Sequence, residues 1–198
     1  MAKRPDPEWR VIGAALSLAE SEGWRRVGLA GIAQKAGLSL AETYAIFPNK
    51  LAIIGGFARR IDRVVLEGGD LTDGDDSIRD KLFELLMRRF EAMRPHRAGL
   101  KSVLQEMDPL AGLCTLNNLR LSMSCMLEAA GVPAGGLAGR LKSKGLGLVY
   151  LLSFRVWLGD ESKDLAPTMA ALDKGLARVE QFAMAGPLGR AYGLTGEA

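Results

Sequence analysis

The sequence predicts an all-α protein, with a three-helix, helix-turn-helix domain at its N-terminus and a larger helical domain after it. Three observations predict this. Apolar residues recur at helical spacing along nearly all of the 198-residue chain. Cap-forming residues and glycines stand at the ends of those periodic runs. No stretch alternates apolar and polar residues long enough to suggest a strand, and neither a repeat nor a low-complexity tract interrupts the pattern.

Asp6-Pro7-Glu8 opens the first helix with a capping carboxylate, a proline at the first helical position and an acid near the positive dipole end. Trp9, Ile12, Leu16 and Ala19 then share a face, and Gly23 supplies the stop. A short second helix over Leu29–Ala36 carries Leu29, Ile32, Ala33 and Ala36 on one side and halts at Gly37. Ser39-Leu40-Ala41-Glu42 reads as a capping box, which starts a third helix running to Ile46. Pro48-Asn49-Lys50 opens a fourth, through Leu66. Residues 67–76 are acidic and glycine-rich, as suits an exposed connector, and the domain boundary is placed there. This divides the chain into a helix-turn-helix domain over 1–66, a second domain over 77–186 and a loose tail over 187–198. Ser77 can cap the next helix, on which Ile78, Leu82, Leu85, Leu86, Arg89 and Met93 share a face. Pro95 and Pro109 punctuate the helices after it, Gly131-Val132-Pro133 ends a long helix over Pro109–Ala130, and Gly136–Leu158 and Ala166–Ala185 are the last two. Eight or nine helices result.

Composition removes several function classes. With 48% hydrophobic and 25% charged residues the chain is ordinary globular protein rather than disordered. Its net charge is +3, but residues 1–63 hold 10 Lys and Arg against 6 Asp and Glu, whereas 64–198 hold 16 against 17. A basic head suits a polyanionic partner. Two cysteines and one histidine make neither a zinc cluster nor a disulfide framework, so no metal and no cofactor is expected. Cys114 and Cys125, eleven apart on one helix face, read as small core residues. His96, between Arg94 and Arg97, reads as a surface or capping residue. The glycines at 135, 136, 139, 145 and 147 follow no strand, so they read as helix starts and packing contacts rather than phosphate loops. No catalytic constellation emerges, and an enzyme is not expected. The start has no apolar signal region, and the most apolar stretch, 145–159, is too short to span a bilayer and contains Arg155. A cytoplasmic protein is expected.

A duplex major groove is about as wide as one α-helix, so a short third helix that protrudes after a glycine turn can reach base edges. Ile32, Ala33, Leu38 and Phe47 make the small core beneath it. From Trp9 to Ile61 the sequence resembles the tetracycline-repressor (TetR) family of transcriptional regulators. Ala14-Ala15, Leu18, Gly23-Trp24, Ile32-Ala33, Ala36-Gly37-Leu38-Ser39, Tyr44, Phe47 and Lys50 carry the resemblance. It departs from the family pattern at Gly28, Ala41-Glu42, Ile46 and Leu51. The resemblance implies a homodimer that binds a palindromic DNA operator with its N-terminal domains and holds a small ligand in its C-terminal, dimerising domain. Transferred residue by residue, it implies that Ser39, Leu40, Ala41 and Thr43 face the groove and that Tyr44 and Lys50 hold phosphate.

In the second domain, flexible and aromatic apolar residues fall on helices that such a regulator would pack around its pocket. Met87, Phe90, Leu116, Leu119, Met123, Met126, Tyr150, Phe154 and Trp157 are the candidates, with Met93 beside them, and they imply a hydrophobic effector. The last two helices are candidates for a dimer interface, Leu148, Leu151, Leu152 and Val156 on one and Met169, Leu172, Leu176, Val179 and Phe182 on the other. A shorter resemblance links residues 90–97 and 157–162, with Thr168 and Leu172-Asp173, to accessory proteins of ubiquinone biosynthesis, which are similar to TetR regulators in fold but bind lipid. The reading is therefore a ligand-responsive repressor, with a lipid- or isoprenoid-binding accessory protein as the alternative.

Overall fold

The described residues, 6–69 and 76–185 of a computed structural model, form nine α-helices and no strand. They are α1 (Pro7–Glu22), α2 (Leu29–Ala36), α3 (Leu40–Ile46), α4 (Lys50–Glu67), α5 (Ile78–Met93), α6 (Arg97–Glu106), α7 (Pro109–Ala129), α8 (Gly136–Trp157) and α9 (Ala166–Ala185), with a 3-10 turn at Arg94–His96 before α6. Most of the acidic connector and the tail from Gly186 lie outside the described residues. No described helix is long and apolar enough to cross a membrane.

Local chemistry sets the helix ends. The Asp6 carboxylate accepts the Trp9 N–H at 2.7 Å, and the Asn49 side chain accepts that of Ala52 at 2.8 Å, each satisfying a donor the helix leaves open. Ser77 accepts the Asp80 N–H at 3.2 Å and returns its own hydroxyl to the Asp80 carboxylate at 2.6 Å. Gly23 terminates α1 with φ 88°, in the region that a Cβ would disfavour.

Two compact units can be distinguished, residues 6–68 with 91–122 and residues 69, 76–90 and 123–185. The segment 91–122, which the sequence places in the second domain, therefore packs with the N-terminal helices. The reason is an intimate contact between α1 and α6. A Cβ built on Gly99 would lie 2.4 Å from the Leu16 carbonyl oxygen, and Leu100 and Val103 bury their side chains beside it. Further along this unit, the Ser122 hydroxyl donates to the buried Asp62 carboxylate at 2.5 Å. Val11, Ile12, Ala15, Ile32, Ile53 and Phe57 are the centre of its core. His96 stands at the start of α6 without capping it. Its ring meets Trp9 and Phe57 edge-on, at 5.4 and 5.5 Å, so it is a half-buried aromatic residue rather than the expected surface group, and burial lowers its pKa.

In the second unit α8 packs along α9, where a Cβ on Gly175 would fall 2.6 Å from a Val149 methyl. Tyr150 stacks on Phe90 at 5.3 Å, and Trp157 lies 5.8 Å from the same ring. Cys125 is half-buried here, which raises its thiol pKa, whereas the Cys114 side chain lies outside those described. The turn into α9 is held by the buried Asp160 carboxylate, which accepts from Ser162 (N–H 3.0 Å, hydroxyl 2.5 Å) and Thr168 (N–H 3.1 Å, hydroxyl 2.6 Å). Burial pushes the Asp160 pKa up, but the bonds from Ser162 and Thr168 outweigh it and hold the group at about 2. Its contribution to stability is complete above the ordinary value of 3.8 and is lost as pH falls through about 2.

Replacing an exposed helical glycine with alanine stabilises a helix by up to about 1 kcal/mol. Gly99→Ala is expected to do the opposite, lowering the unfolding free energy by about 1–3 kcal/mol, because the added methyl meets backbone that cannot rotate away. A urea midpoint at or above that of the parent chain would refute this account of the α1–α6 contact.

Candidate nucleic-acid interface

The chain reverses between α2 and α3 through Gly37, which is left-handed at φ 64° and ψ 41°. The Gly37 N–H reaches the Gln34 carbonyl at 3.1 Å and the Leu38 N–H reaches that of Ala33 at 3.0 Å, closing the helix end on itself. Arg10, from α1, donates its guanidinium to the carbonyls of Ala36 and Gly37, the latter at 2.9 Å. A cation is thereby set against the negative end of the α2 dipole. Three elements meet at one turn, and together they orient α3.

The capping box of α3 is complete: the Ser39 hydroxyl accepts the Glu42 N–H at 3.1 Å, while the Glu42 carboxylate accepts both the N–H and the hydroxyl of Ser39 at 2.7 Å. The Ser39 bonds, side chain first and then backbone, hold the Glu42 pKa below its usual value, with Arg10 adding a smaller pull. Ser39, Leu40, Ala41, Glu42, Tyr44 and Ala45 are exposed, Leu40 by 52% and Tyr44 by 61%. Thr43 is a correction. It was expected to face the groove, but it is fully buried and its hydroxyl donates to the Ser39 carbonyl at 3.0 Å, so it anchors α3 from beneath. Phe47, the residue after α3, is buried against Gly56 of α4, whose absent Cβ leaves room for the ring.

Lys50 is also engaged internally. Its ammonium donates to the Trp24 carbonyl at 2.8 Å and sits 4.6 Å above the Trp24 ring. Burial lowers its pKa, and the Glu106 carboxylate opposes that shift. The same turn is gripped from α6, where Ser102 accepts the Trp24 N–H at 3.1 Å and Glu106 accepts the Arg25 N–H at 2.8 Å. Arg10, Ser102 and Glu106 were not singled out in the sequence, since no local pattern marks a residue whose partner is a distant backbone. A cleft of about 560 Å³ at the N-terminus of α2 is lined by Arg26, Gly28, Gly31 and Lys35 among others, with Glu22 opposite in charge.

No family model matches the chain. Nor does any curated protein sequence. Solved structures do. A TetR transcriptional regulator from Nitrosomonas europaea superposes with a TM-score of 0.68 at 21% identity, covering 88% of this chain and 98% of the other. One from a Rhodococcus species gives 0.63 at 20% identity, covering 87% and 94%. NalD, the secondary repressor of the MexAB-OprM multidrug efflux pump in Pseudomonas aeruginosa, gives 0.54 at 19% identity, covering 87% and 96%. This chain has the TetR regulator fold.

Within that TetR fold the residues expected to line a pocket fall in both units. Phe90, Met123, Met126, Tyr150 and Trp157 are buried in the second unit, with Met87 and Phe154 half-buried there. Arg89, also buried, donates its Nε to the Tyr150 hydroxyl at 3.2 Å. Leu119 is half-buried in the first unit, where Leu116 is 45% exposed. The expected dimer residues also divide. Leu148, Leu152, Val156, Met169 and Val179 are exposed and Leu151 is half-buried, while the Phe182 side chain lies outside those described. Leu172 and Leu176 are corrections: at 0% and 4% exposure they belong to the core of their own unit and offer nothing to a partner.

Ser39→Ala is expected to cost about 1 kcal/mol of stability, as loss of an N-cap does. The carboxylate half of the box adds a pH dependence. Because the folded Glu42 pKa lies below its usual 4.5, its stabilisation is present above that value and fades as pH falls through the lowered one. Urea unfolding of Glu42→Gln against the parent chain should show a gap at neutral pH that closes in acid; a gap independent of pH would refute the ionic part of the box.

Proposed function

We propose that this protein is a ligand-responsive transcriptional repressor that binds a palindromic DNA operator as a homodimer. The observation that carries the reading is the exposed side of α3, standing on a turn locked by Gly37, Arg10 and the buried Thr43. A seven-residue helix held at that turn, with Leu40, Ala41, Tyr44 and Ala45 outward, suits insertion into a major groove. The solved structures of the same fold are described as transcriptional regulators, and one as a repressor. Tyr44 supplies an exposed hydroxyl for a phosphate, and the Lys50 ammonium adds charge at the start of α4. Exposed Arg25, Arg26 and Lys35 extend the cationic character of this unit.

Pairing is supported by the apolar residues left outward on α8 and α9. Leu148, Leu152 and Val156 are four apart and make one stripe, and Met169 and Val179 are exposed on the neighbouring helix. Two copies meeting there bury a four-helix face, and a homodimer carries one α3 for each half-site of a palindrome. The Met- and aromatic-rich interior of the second unit suits a hydrophobic effector. An effector that prefers the conformation with the wrong half-site spacing shifts the population away from DNA. An operator partner places the protein in the cytoplasm.

A salt series of binding to selected duplexes tests the reading. Affinity should fall steeply with salt, and Tyr44→Phe should weaken binding about fivefold for every sequence, as loss of one hydrogen bond worth about 1 kcal/mol does. Failure to select any sequence, with a lipid retained in native mass spectrometry, would replace this reading with the lipid-binding one. Pairing has its own test. Leu148→Asp and Leu152→Asp, both at exposed positions, should yield a folded monomer in analytical ultracentrifugation that no longer holds the operator. A dimer that persists in both variants would move the interface elsewhere.

A further inference from the structure

The seven residues of α3 are unusual for a helix that reads bases, because none is Arg, Lys, Asn or Gln. Those are the side chains whose forked donors and acceptors match guanine and adenine in the major groove. Apart from the exposed Tyr44, its polar residues also bond within the chain. Thr43 is buried, with its hydroxyl on the Ser39 carbonyl. The Glu42 carboxylate, which could accept from cytosine, turns its Oε2 back to the N–H and hydroxyl of Ser39. The Ser39 hydroxyl gives its proton to Glu42 and accepts the Glu42 N–H. What remains outward is Leu40, 52% exposed, Ala41, Ala45, and Tyr44 one turn beyond Leu40.

An apolar side with two alanines lets the helix backbone approach closely but offers little to a base's polar edge. The major groove has one apolar mark, the C5-methyl group of thymine. We infer that α3 reads its half-site through thymine methyl groups, with Leu40 as the principal contact and Ala41 and Ala45 beside it. The inference rests on the DNA-binding reading and names the sequence class that reading leaves open: a half-site with T·A pairs where α3 lies. Specificity then comes from burying methyl groups instead of matching hydrogen bonds. Each contacted methyl is worth about 0.8 kcal/mol, or about fourfold in affinity, so several together are needed to single out a site.

The test uses the full chain. Duplexes selected from a random pool are resynthesised with deoxyuridine in place of each thymine in turn, which removes the methyl and leaves base pairing intact. At least one position per half-site should lose about fourfold in affinity. In Leu40→Ala, an exposed position that leaves the core untouched, the same swap should become silent, since a deleted contact cannot be deleted again. A selected half-site rich in G·C under α3, or one whose deoxyuridine swaps are all silent in the parent chain, overturns the methyl inference while DNA binding stands. A pool from which nothing is enriched overturns both.

Discussion

The α2–α3 turn is the constraint on which the candidate interface depends. Gly37 adopts a left-handed conformation that costs an ordinary residue about 1 kcal/mol or more, and the two carbonyls beside it are claimed by Arg10 from another helix. Local chain chemistry and a long-range guanidinium therefore specify the same geometry. Downstream, Thr43 turns inward and Phe47 enters the core beside Gly56, so α3 is held at its start, its middle and its end. A helix of seven residues has too few internal bonds to be stable alone, and these attachments replace what its length cannot supply.

The first unit is tied together by contacts of two kinds. Between α1 and α6 the contact is steric, made possible by the missing side chain of Gly99 against the Leu16 carbonyl. Around Trp24 it is polar. Ser102, Glu106 and Lys50 each bond to backbone of the α1–α2 turn, which satisfies its peptide groups and joins α4 and α6 to one point. Lys50 illustrates how position redirects chemistry. Its ammonium, at the start of α4, lies on a carbonyl and above an indole ring.

In the second unit, α8 must serve two surfaces at once. Val149, Tyr150 and Trp157 turn toward the unit's own core, while Leu148, Leu152 and Val156 remain outward. On α9 the division falls between Leu172 and Leu176, which are buried, and Met169 and Val179, which are not. Both sides of these helices are apolar, so hydrophobic patterning alone assigns neither to the interior. The Asp160 cluster shows a different economy. Residues of the 157–168 segment that suggested a lipid-binding relative have a structural task, closing the turn into α9 through four hydrogen bonds to one carboxylate.

By itself the sequence determined the all-helical class, the order of the helices and nearly all of their ends. Caps and stops act over three or four residues, so Asp6, Ser39 with Glu42, Gly37 and Asn49 are readable wherever the rest of the chain lies. Only the tertiary structure decided which side of each helix is spent inward. Thr43, Leu172 and Leu176 are buried, His96 joins an aromatic cluster, and residues 91–122 pack with the N-terminal helices. Lys50 and Arg25 likewise find partners far along the chain, 26 and 81 residues away. Separation of that kind leaves no periodic trace, because the energy comes from surfaces that meet only after folding.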